Sequence, residues 1–380
     1  MPIQRRNLLK ALPVALATAS AASAATNVHA AAPTAAPAPS AQNPILACFN
    51  ENPLGLSAKA REAVAESAAR CNRYPFAAVE QLRAACAAFI GGKPEQITLS
   101  QGSAEAIRAS IEAYKTENVQ LVIPELTYGD GEMCAVRNGI PVTKVKMGPD
   151  WSIDIEGMKA AVANHKGPSI VYFVNPNNPT STIVDSKVLN DWIRSKPANT
   201  MFLVDEAYGE YVENPAFESG VVLVKKGLDN LIVTRTFSKL YALAGLRLGY
   251  GIATKSVLTE CDLFESVDNI NLAGAVAAAA TLEDKTYLET SLAATKLSKA
   301  IVTKAFDELG IKYLPSEANF IFHRVKGDSD MYRKHMADAN ILVGRAFPPF
   351  TGWNRLTLGT PGEMKAFVKV LKDFRTKGLI

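Results

Sequence analysis

Between residues 57 and 254, short apolar runs alternate with stretches of helical periodicity. Residues 57–70, 77–90, 101–114 and 185–195 place apolar side chains three or four positions apart, which predicts helices. The run from Ser169 to Asn175 is almost continuously apolar, as expected for a strand buried on both faces. Seven runs predict strands in the order ITLS, VQLVIP, PVTKVK, SIVYFVN, MFLVDEAY, NLIVTRTF and LGYGIAT. Such alternation predicts an α/β domain in which helices cover both faces of a mostly parallel, seven-stranded sheet.

The pattern changes after about residue 270. Residues 273–284 and 287–310 have long helical periodicity, and the shorter runs NFIFHR, ILVG and NRLTLG predict strands before a last helix over residues 361–376. This order of long helices, short strands and a last helix predicts a smaller α+β domain. We therefore expect a large domain over residues 66–270 and a small domain over residues 271–380, with residues 44–65 packing against the small domain.

The first 43 residues have a different composition. Arg5 and Arg6 precede a short, mild apolar run, and an Ala-x-Ala sequence ends at Ala24. This layout predicts a secretory signal over residues 1–30, and the paired arginines resemble a twin-arginine export signal, with Gln4 in place of the usual Ser or Thr. The expected location is then the periplasm; an uncleaved amphipathic start is the alternative. Residues 31–43 are rich in Ala and Pro and predict a linker.

Composition and charge limit the classes of protein to which this chain can belong. The chain of 380 residues is 48% hydrophobic and 21% charged, a balance typical of a soluble protein of one or two domains. Without the three cationic residues of the first segment, 38 basic face 37 acidic side chains, so charge does not predict a nucleic-acid partner. No run outside the first segment is long and apolar enough for a membrane span. The five cysteines show no metal-ligand spacing, which predicts no metal site and leaves a disulfide open.

Candidate catalytic and ligand-binding side chains lie where the predicted strands end, which is where ligands of open α/β sheets bind. Ser103 begins a helix after the strand ITLS, and a helix start can hold an anion. Asp205 ends a buried strand, where a carboxylate costs several kcal/mol unless a cation lies beside it. Lys239 follows another strand, and Arg247 lies eight residues further on. Asn178 follows the strand SIVYFVN within the turn NPNNPT.

A phosphorylated pyridine aldehyde would use all of these groups. The lysine amine can form an imine with the aldehyde. A carboxylate beside the ring nitrogen favours its protonated form, and a protonated ring withdraws electrons from a bound substrate. An arginine, hydroxyl groups and helix N–H groups can hold a phosphate. The Asn178 amide and the phenol of Tyr208, three residues after Asp205, can form hydrogen bonds to the ring hydroxyl. The set therefore predicts pyridoxal 5′-phosphate as the cofactor.

Residues 45–380 contain an ordered series of motifs that resembles the class I/II aminotransferases, which have the pyridoxal-phosphate (PLP)-transferase fold of type I. Within this class, the chain is most similar to the histidinol-phosphate aminotransferases. Each motif is weak alone, but their order is specific. They are NENPLG, NRYP, GSAEAI, NPNNPT, VDEAY, TFSK followed by AGLRLGY, and NRLTLGTPGE. The resemblance implies an aminotransferase that moves an amino group from an L-amino acid, or a histidinol-phosphate-like amine, to a 2-oxo acid.

The same resemblance implies a role for each matching residue. Lys239 would be the Schiff-base lysine and the base that moves a proton at the substrate α-carbon, and Asp205 would pair with the ring nitrogen. Asn178 and Tyr208 would bind the ring hydroxyl, and Tyr128 would stack on the ring. The phosphate would be held by Ser103, the backbone of Ala104 and Glu105, Thr236, Ser238 and Arg247.

The implied substrate contacts and assembly involve three further residues. Arg355 would bind the substrate α-carboxylate by a bidentate pair, together with Asn178. Tyr74 would reach the phosphate of a neighbouring subunit, which implies a homodimer with shared active sites. Arg345 is the candidate for the arginine that binds the substrate phosphate in histidinol-phosphate enzymes, and a surface or substrate-gate residue is the alternative. Gly344 and the bulky segment FPPF depart from the pattern of those enzymes, which indicates a pocket for a different side chain. Ser181 and Ala104 are smaller departures, and the substrate class stays open.

Two other functions remain compatible with the sequence. A PLP-dependent decarboxylase, lyase or amino acid oxidase could use the same fold and cofactor, because a fold does not determine a reaction. An exported binding protein with an inactive site is the second alternative. The joint presence of Lys239, Asp205 and Arg247 argues against it.

Overall fold

The computed structural model describes residues 38–380. The strands of this part are β1 (Ile45–Ala47), β2 (Ile97–Ser100), β3 (Gln120–Pro124), β4 (Val142–Val145), β5 (Ser169–Val174), β6 (Thr200–Asp205), β7 (Leu231–Thr236), β8 (Gly249–Ile252), β9 (Phe320–Arg324), β10 (Ile341–Val343) and β11 (Trp353–Thr357). All seven strands predicted before residue 254 are present as β2 to β8.

The helices of the same part are α1 (Ala58–Ser67), α2 (Phe76–Ile90), α3 (Ser103–Ala113), α4 (Asp130–Arg137), α5 (Ile155–Asn164), α6 (Ser186–Arg194), α7 (Val221–Lys225), α8 (Lys255–Asp262), α9 (Leu272–Leu282), α10 (Lys285–Leu309), α11 (Ser329–Asp338) and α12 (Pro361–Thr376). Capping residues determine where several of these helices begin. Ser57 caps α1 by accepting from the Ala60 N–H, and Thr360 and Glu363 form a reciprocal capping box at α12.

The large sheet has the strand order β2-β8-β7-β6-β5-β3-β4. Its strands are parallel except β8, which runs antiparallel to both β2 and β7. The predicted α/β class and mostly parallel seven-stranded sheet are therefore confirmed. The parallel order places the carboxyl ends of β5, β6 and β7 side by side, and these ends precede Asn178, Asp205 and Lys239.

Both faces of the large sheet are buried. In β5, Val171 and Phe173 pack into one core, whereas Ile170, Tyr172 and Val174 pack into the other. Side chains alternate across a strand, so a strand covered on both faces needs an apolar residue at every position. This requirement explains the continuous apolar run that identified β5 in the sequence.

Two smaller strand pairs lie in the C-terminal part. β9 pairs antiparallel with β11, and β10 pairs parallel with β1, so the first strand of the described chain joins a strand almost 300 residues later. Helix α9 packs against α1 and α2, and Ala275, Ala277 and Ala278 belong to the core on one face of the large sheet. The core of the C-terminal part forms mainly between α10, α12, β9 and β10.

The predicted export signal lies outside the described residues, as do residues 31–37 of the predicted linker. Ser40 and Asn43, within that linker, form a turn closed by two backbone hydrogen bonds. Among the helices of residues 38–380, none combines the length and the apolar character that a membrane span requires.

Candidate active site

Asp205 is the buried carboxylate of the site. It ends β6 and is 2% exposed. Its Oδ1 accepts from the Ala207 N–H at 3.2 Å and from the Thr234 hydroxyl at 3.1 Å. Burial raises the pKa of this carboxyl to about 7, against the opposing effect of these two hydrogen bonds. No Lys, Arg or His of the described residues forms an ion pair with Asp205, so a cationic group of a ligand could pair with this carboxylate.

A candidate anion site lies where α3 begins. Gly102 has a left-handed φ of 73°, and a Cβ there would lie 2.5 Å from Arg247 Nη2. A Cβ on Gly249 would lie 2.4 Å from the Ser103 nitrogen. Only glycine at both positions lets the guanidinium of Arg247 and strand β8 approach the start of the helix so closely. The N–H groups of a first helical turn lack intrahelical acceptors, so the arrangement is suited to a phosphate.

Within that first turn, the backbone donors differ. The Glu105 N–H already donates to the Gly102 carbonyl at 3.2 Å, whereas Ser103 and Ala104 occupy the first two helical positions. The Glu105 carboxylate turns toward the loop and accepts from the Gln101 N–H at 2.7 Å and from Asn269 Nδ2 at 2.5 Å. Ser103 and Ala104 are thus better placed to offer N–H groups than Glu105.

Two hydroxyl groups from the end of β7 join this anion site. Thr236 pairs with Gly249 across the sheet, and Gly249 also pairs with Ser100 of β2. The Thr236 hydroxyl donates to Ser238 Oγ at 3.0 Å and accepts from the Ser238 N–H at 3.1 Å. The pairing through Gly249 therefore brings the ends of β2 and β7 together, with Arg247 beside them.

Lys239 follows these hydroxyls. Its Nζ donates to the Phe49 carbonyl at 3.3 Å and lies 5.8 Å from the centre of the Tyr208 ring. Burial, together with the nearby positive charge of Arg355, lowers the pKa of this amine to about 8. An amine with this pKa is partly unprotonated at neutral pH, which a nucleophile or a base requires.

Tyr208 is held by the N-terminal segment. Its ring is 3% exposed, and its hydroxyl oxygen accepts from Asn50 Nδ2 at 3.0 Å. Because this oxygen already accepts a hydrogen bond, the hydroxyl proton remains to be donated to a ligand. Burial raises the pKa of Tyr208 to about 12, so the phenol keeps that proton at neutral pH.

Arg355, on β11, connects the C-terminal part of the chain to the strand ends of the large sheet. Its Nη1 donates to Asn178 Oδ1 and its Nη2 to the Cys48 carbonyl, both at 2.7 Å. Its Nε is buried and has no acceptor among residues 38–380. Burial lowers the pKa of this guanidinium. A buried arginine with an unused donor is suited to a carboxylate, and Asn178, with its oxygen occupied, offers its N–H groups.

Arg345 lies at the edge of this site. Its guanidinium is 4.3 Å from the centre of the Phe347 ring, and that of Arg355 is 5.6 Å from the same ring. Arg345 Nη1 donates to the Ala346 carbonyl at 3.0 Å. The side chain is exposed, so it is able to meet the outer part of a substrate.

The two remaining tyrosines differ in environment. Tyr128 is largely buried and donates to Asp130 Oδ2 at 2.8 Å; burial and the Asp130 charge raise its pKa, and Asp205 and Tyr208 lie close enough to add to that effect. Tyr74 is 71% exposed, and its ring stacks on Phe76 at 5.7 Å.

Asn50 is a site residue to which sequence reasoning assigned no role, although it begins the motif NENPLG. It is 1% exposed and has a left-handed φ of 56°. Besides Tyr208, its side chain contacts the Thr357 hydroxyl, which donates to Asn50 Oδ1 at 2.9 Å. A buried asparagine with a left-handed backbone indicates a site residue. Its burial is visible only in the folded structure, so the sequence alone could not identify it.

Replacing Asn50 by alanine is expected to lower the free energy of unfolding by about 3 kcal/mol. Two buried hydrogen bonds are lost, at about 1 kcal/mol each, and alanine resists the left-handed conformation by about 1 kcal/mol more. Urea unfolding measures the change. The matched control is Asn118→Ala, which alters an exposed asparagine with a φ of 59° and is expected to cost only the backbone part. Equal losses in the two variants would contradict the proposed network.

The donors fit a phosphorylated pyridine aldehyde. Asp205 is a buried carboxylate without an ion-pair partner among residues 38–380, Arg247 and the start of α3 form an anion site, and Lys239 supplies an amine of lowered pKa. Among the described residues, no group of three His, Cys, Asp or Glu side chains could hold a metal ion. The chemistry of the site therefore agrees with pyridoxal phosphate.

Comparisons with known proteins identify the same family that the site residues indicate. The model of the family described as aminotransferase class I and II matches residues 43–371. A histidinol-phosphate aminotransferase of Brevibacillus brevis is 34% identical over 332 residues, which cover 87% of this chain and 90% of the relative.

Two crystal structures are also similar. A provisionally assigned histidinol-phosphate aminotransferase of Erwinia carotovora atroseptica is 48% identical, with a TM-score of 0.89 and coverage of 90% of this chain and 99% of the other. The histidinol-phosphate aminotransferase of Sinorhizobium meliloti, in complex with pyridoxal 5′-phosphate, is 25% identical, with a TM-score of 0.78 and coverage of 87% and 91%.

Proposed function

The chain belongs to the class I and II aminotransferase family and is a pyridoxal-phosphate-dependent aminotransferase, and from this premise we propose how its own residues perform the transfer. The amino donor is an L-amino acid or a histidinol-phosphate-like amine, and the acceptor is a 2-oxo acid. The observation that supports a donor with an α-carboxylate is Arg355, a buried guanidinium with an unused Nε that contacts Asn178.

Binding of the cofactor follows from the donors. The N–H groups of Ser103 and Ala104, the hydroxyls of Thr236 and Ser238, and Arg247 hold the phosphate. Bound pyridoxal phosphate supplies a carbonyl that accepts an amine and a protonated ring that withdraws electrons from the substrate α-carbon.

The catalytic groups of the chain act around that ring. Asp205 keeps a proton on the ring nitrogen, because a buried cation stabilises a carboxylate that burial otherwise protonates. Asn178 and Tyr208 would donate to the ring hydroxyl, and Tyr128 would stack on the ring. Lys239 would hold the cofactor covalently and, as a free amine, would be the base that takes and returns the α-proton of the substrate.

Substrate selection follows from Arg355 and Arg345. Arg355 would bind the α-carboxylate of an L-amino acid donor or of the 2-oxo acid acceptor, which would orient the reacting α-carbon toward Lys239. Arg345, stacked on Phe347 at 4.3 Å, meets the side chain of the donor. An acidic or phosphorylated side chain would pair with this guanidinium, and an aromatic side chain would pack on Phe347.

A spectral titration tests the function. L-Amino acids with acidic, basic and aromatic side chains, and histidinol phosphate, are added singly to the purified holoenzyme. We expect one class to convert the bound cofactor to pyridoxamine phosphate and a 2-oxo acid to reverse the change. Release of CO₂, or consumption of O₂ without an acceptor, would instead show a decarboxylase or an oxidase.

We further propose a homodimer in which Tyr74 reaches the phosphate bound by the partner subunit. The exposed, stacked rings of Tyr74 and Phe76 support this proposal, because exposed aromatic pairs favour interfaces. Tyr74→Phe is expected to weaken cofactor affinity about tenfold, through one lost hydrogen bond to a charged group, and to leave the dimer intact. Sedimentation equilibrium and cofactor titration measure both effects. A monomeric wild-type holoenzyme would refute the proposal.

The proposed location is the periplasm, reached through the twin-arginine route, which transports folded proteins and would let the cofactor bind before export. The support is the sequence of residues 1–30 alone. Replacing Arg5 and Arg6 by lysine is expected to retain the protein in the cytoplasmic fraction. Equal periplasmic recovery of both forms would exclude this route.

A further inference from the structure

A buried cluster of charged side chains lies beside the candidate active site, and none of its members belongs to the proposed cofactor or substrate contacts. The guanidinium of Arg235, on β7, pairs with Glu206, whose side chain is 1% exposed. Its Nη2 and Nε donate to Glu206 Oε2 at 2.9 and 3.3 Å. Its Nη1 lies 3.6 Å from Oε1 of Glu210. The side chains of Arg235 and Glu210 are each 12% exposed, so one guanidinium faces two carboxylates inside the core.

The two carboxylates have further hydrogen bonds. Glu206 Oε1 accepts from the Gly220 N–H at 2.7 Å, and its Oε2 accepts from the Ser219 hydroxyl at 2.6 Å. Glu210 Oε1 accepts from the Tyr241 hydroxyl at 3.2 Å. These defined partners hold the buried cluster in one arrangement.

The cluster lies on the face of the large sheet opposite to Asp205. Asp205 accepts from the Thr234 hydroxyl on one face. Glu206 and Arg235 are the residues that follow these two, so their side chains point to the other face. Val233, two positions before Arg235, packs into the core on that face. The Glu206 N–H donates to the Thr234 carbonyl at 2.8 Å, so the position of Asp205 is coupled to that of the ion pair behind it.

Both carboxylates belong to the segment that carries Tyr208. Tyr208 lies midway between Glu206 and Glu210 in the chain, and the Gly209 N–H donates to the Glu206 carbonyl at 2.9 Å. The segment is therefore a closed turn with a carboxylate on each side of Tyr208. Because Arg235 faces both carboxylates, it holds this turn at two points.

Tyr241 belongs to the turn that carries Lys239. The Ala242 N–H donates to the Lys239 carbonyl at 3.0 Å, which closes this second turn. The hydrogen bond from Tyr241 to Glu210 then joins it to the turn of Tyr208. Two turns from the ends of different strands are thus connected through buried polar groups.

We propose that Arg235 is a positioning residue for the transfer. It fixes Asp205 and Tyr208 relative to Lys239, and it acts through these residues. A buried ion pair adds little net stability compared with apolar residues of the same size, whereas its partners define one geometry. The inference rests on the proposed function, in which these three residues surround the cofactor ring.

Arg235→Lys tests the proposal in the holoenzyme. Lysine keeps the positive charge that two buried carboxylates require, but its single ammonium does not reproduce the fork of the guanidinium. We expect kcat per bound cofactor to fall about tenfold, because small displacements of reacting groups are costly. The KM for the donor is expected to change by less than about twofold, since Arg355 and Arg345 bind it. Arg194→Lys is the control, because Arg194 pairs with Asp191 at the exposed end of α6.

The second measurement is the pH at which the absorbance of the bound cofactor changes, which does not require transamination. Asp205 and Tyr208 would determine the charge distribution of the bound ring, so their displacement in Arg235→Lys is expected to shift this pH by about half a unit. Urea unfolding of the apoprotein is followed in parallel. A residue with only a structural role would lower stability and leave both kcat per cofactor and this pH unchanged.

Tyr241→Phe is a second variant, which decides the question if Arg235→Lys does not fold. It removes only the hydroxyl that donates to Glu210, and the ring keeps its packing. We expect kcat to fall about threefold at constant KM, with a shift of the absorbance in the same direction as for Arg235→Lys. Tyr313→Phe is the control, because Tyr313 donates to Asp307 at 3.1 Å in the C-terminal part of the chain.

A lower kcat at constant KM, or a shifted absorbance, in a folded variant but not in its control would support the positioning role. Wild-type values of both quantities, with or without a loss of stability, would overturn it. A wild-type enzyme that binds the cofactor without transaminating would instead refute the proposed function, and the absorbance would still decide the role of Arg235.

Discussion

Replacing Lys239 by alanine is expected to reduce the rate of transamination about a thousandfold or more. The variant loses both the amine that attaches the cofactor and the base that moves the α-proton, and a positioned base alone contributes about 10²- to 10⁴-fold. Other residues near the site do not replace it, because Asn178 and Tyr208 are not basic at neutral pH and Arg355 stays protonated. The pKa of about 8 for Lys239 is what suits it to the task.

Single-turnover conversion of a donor amino acid, followed by the absorbance of the bound cofactor, measures this loss. Lys255→Ala is the matched control, because Lys255 is exposed at the start of α8. Urea unfolding of the apoprotein checks that Lys239→Ala folds. A variant that folds and keeps more than a tenth of the wild-type rate would remove Lys239 from the proposed mechanism.

Replacing Asp205 by asparagine is expected to stabilise the apoprotein and to inactivate the holoenzyme. In the apoprotein the carboxyl is buried, and its pKa is raised from the ordinary value of 3.8 to about 7. Between these values the folded state binds a proton that the unfolded state has released, so the free energy of unfolding falls as the pH rises from about 4 to 7. Above pH 7 the penalty is complete and amounts to a few kcal/mol.

Asparagine removes that penalty, because its oxygen can accept the same hydrogen bonds from Ala207 and Thr234 without a charge. We expect Asp205→Asn to be more stable than the wild-type apoprotein at pH 8 and close to it at pH 4. In the holoenzyme, the ring nitrogen loses its anionic partner. Removing one member of a buried ion pair costs about 3 to 5 kcal/mol, so we expect activity to fall by on the order of 10²- to 10³-fold.

Urea unfolding of the apoprotein at the two pH values, with kcat of the reconstituted enzyme, measures both effects. Asp338→Asn is the control, since Asp338 is exposed and pairs with Lys334, and it is expected to change stability by less than about 1 kcal/mol at either pH. An apoprotein whose stability does not depend on Asp205 at pH 8, or full activity of Asp205→Asn, would contradict the assignment.

The sequence alone determined the elements of the large sheet and the chemistry at the strand ends. Apolar runs identify strands buried on both faces, because every side chain of such a strand must leave water. Asp205 and Lys239 were identifiable for the same local reason, since a charge directly after a buried strand is costly unless it has a function. The ordered motifs then led to the cofactor and the reaction.

The tertiary structure alone decided which distant groups meet. Strand β8 enters the sheet antiparallel between β2 and β7, and Gly249 thereby joins the start of α3 to Thr236. Arg355 contacts Asn178, 177 residues away, and Asn50 contacts Tyr208, 158 residues away. Periodicity records whether a side chain is buried but not its partner, because any apolar face of the right size satisfies the same pattern.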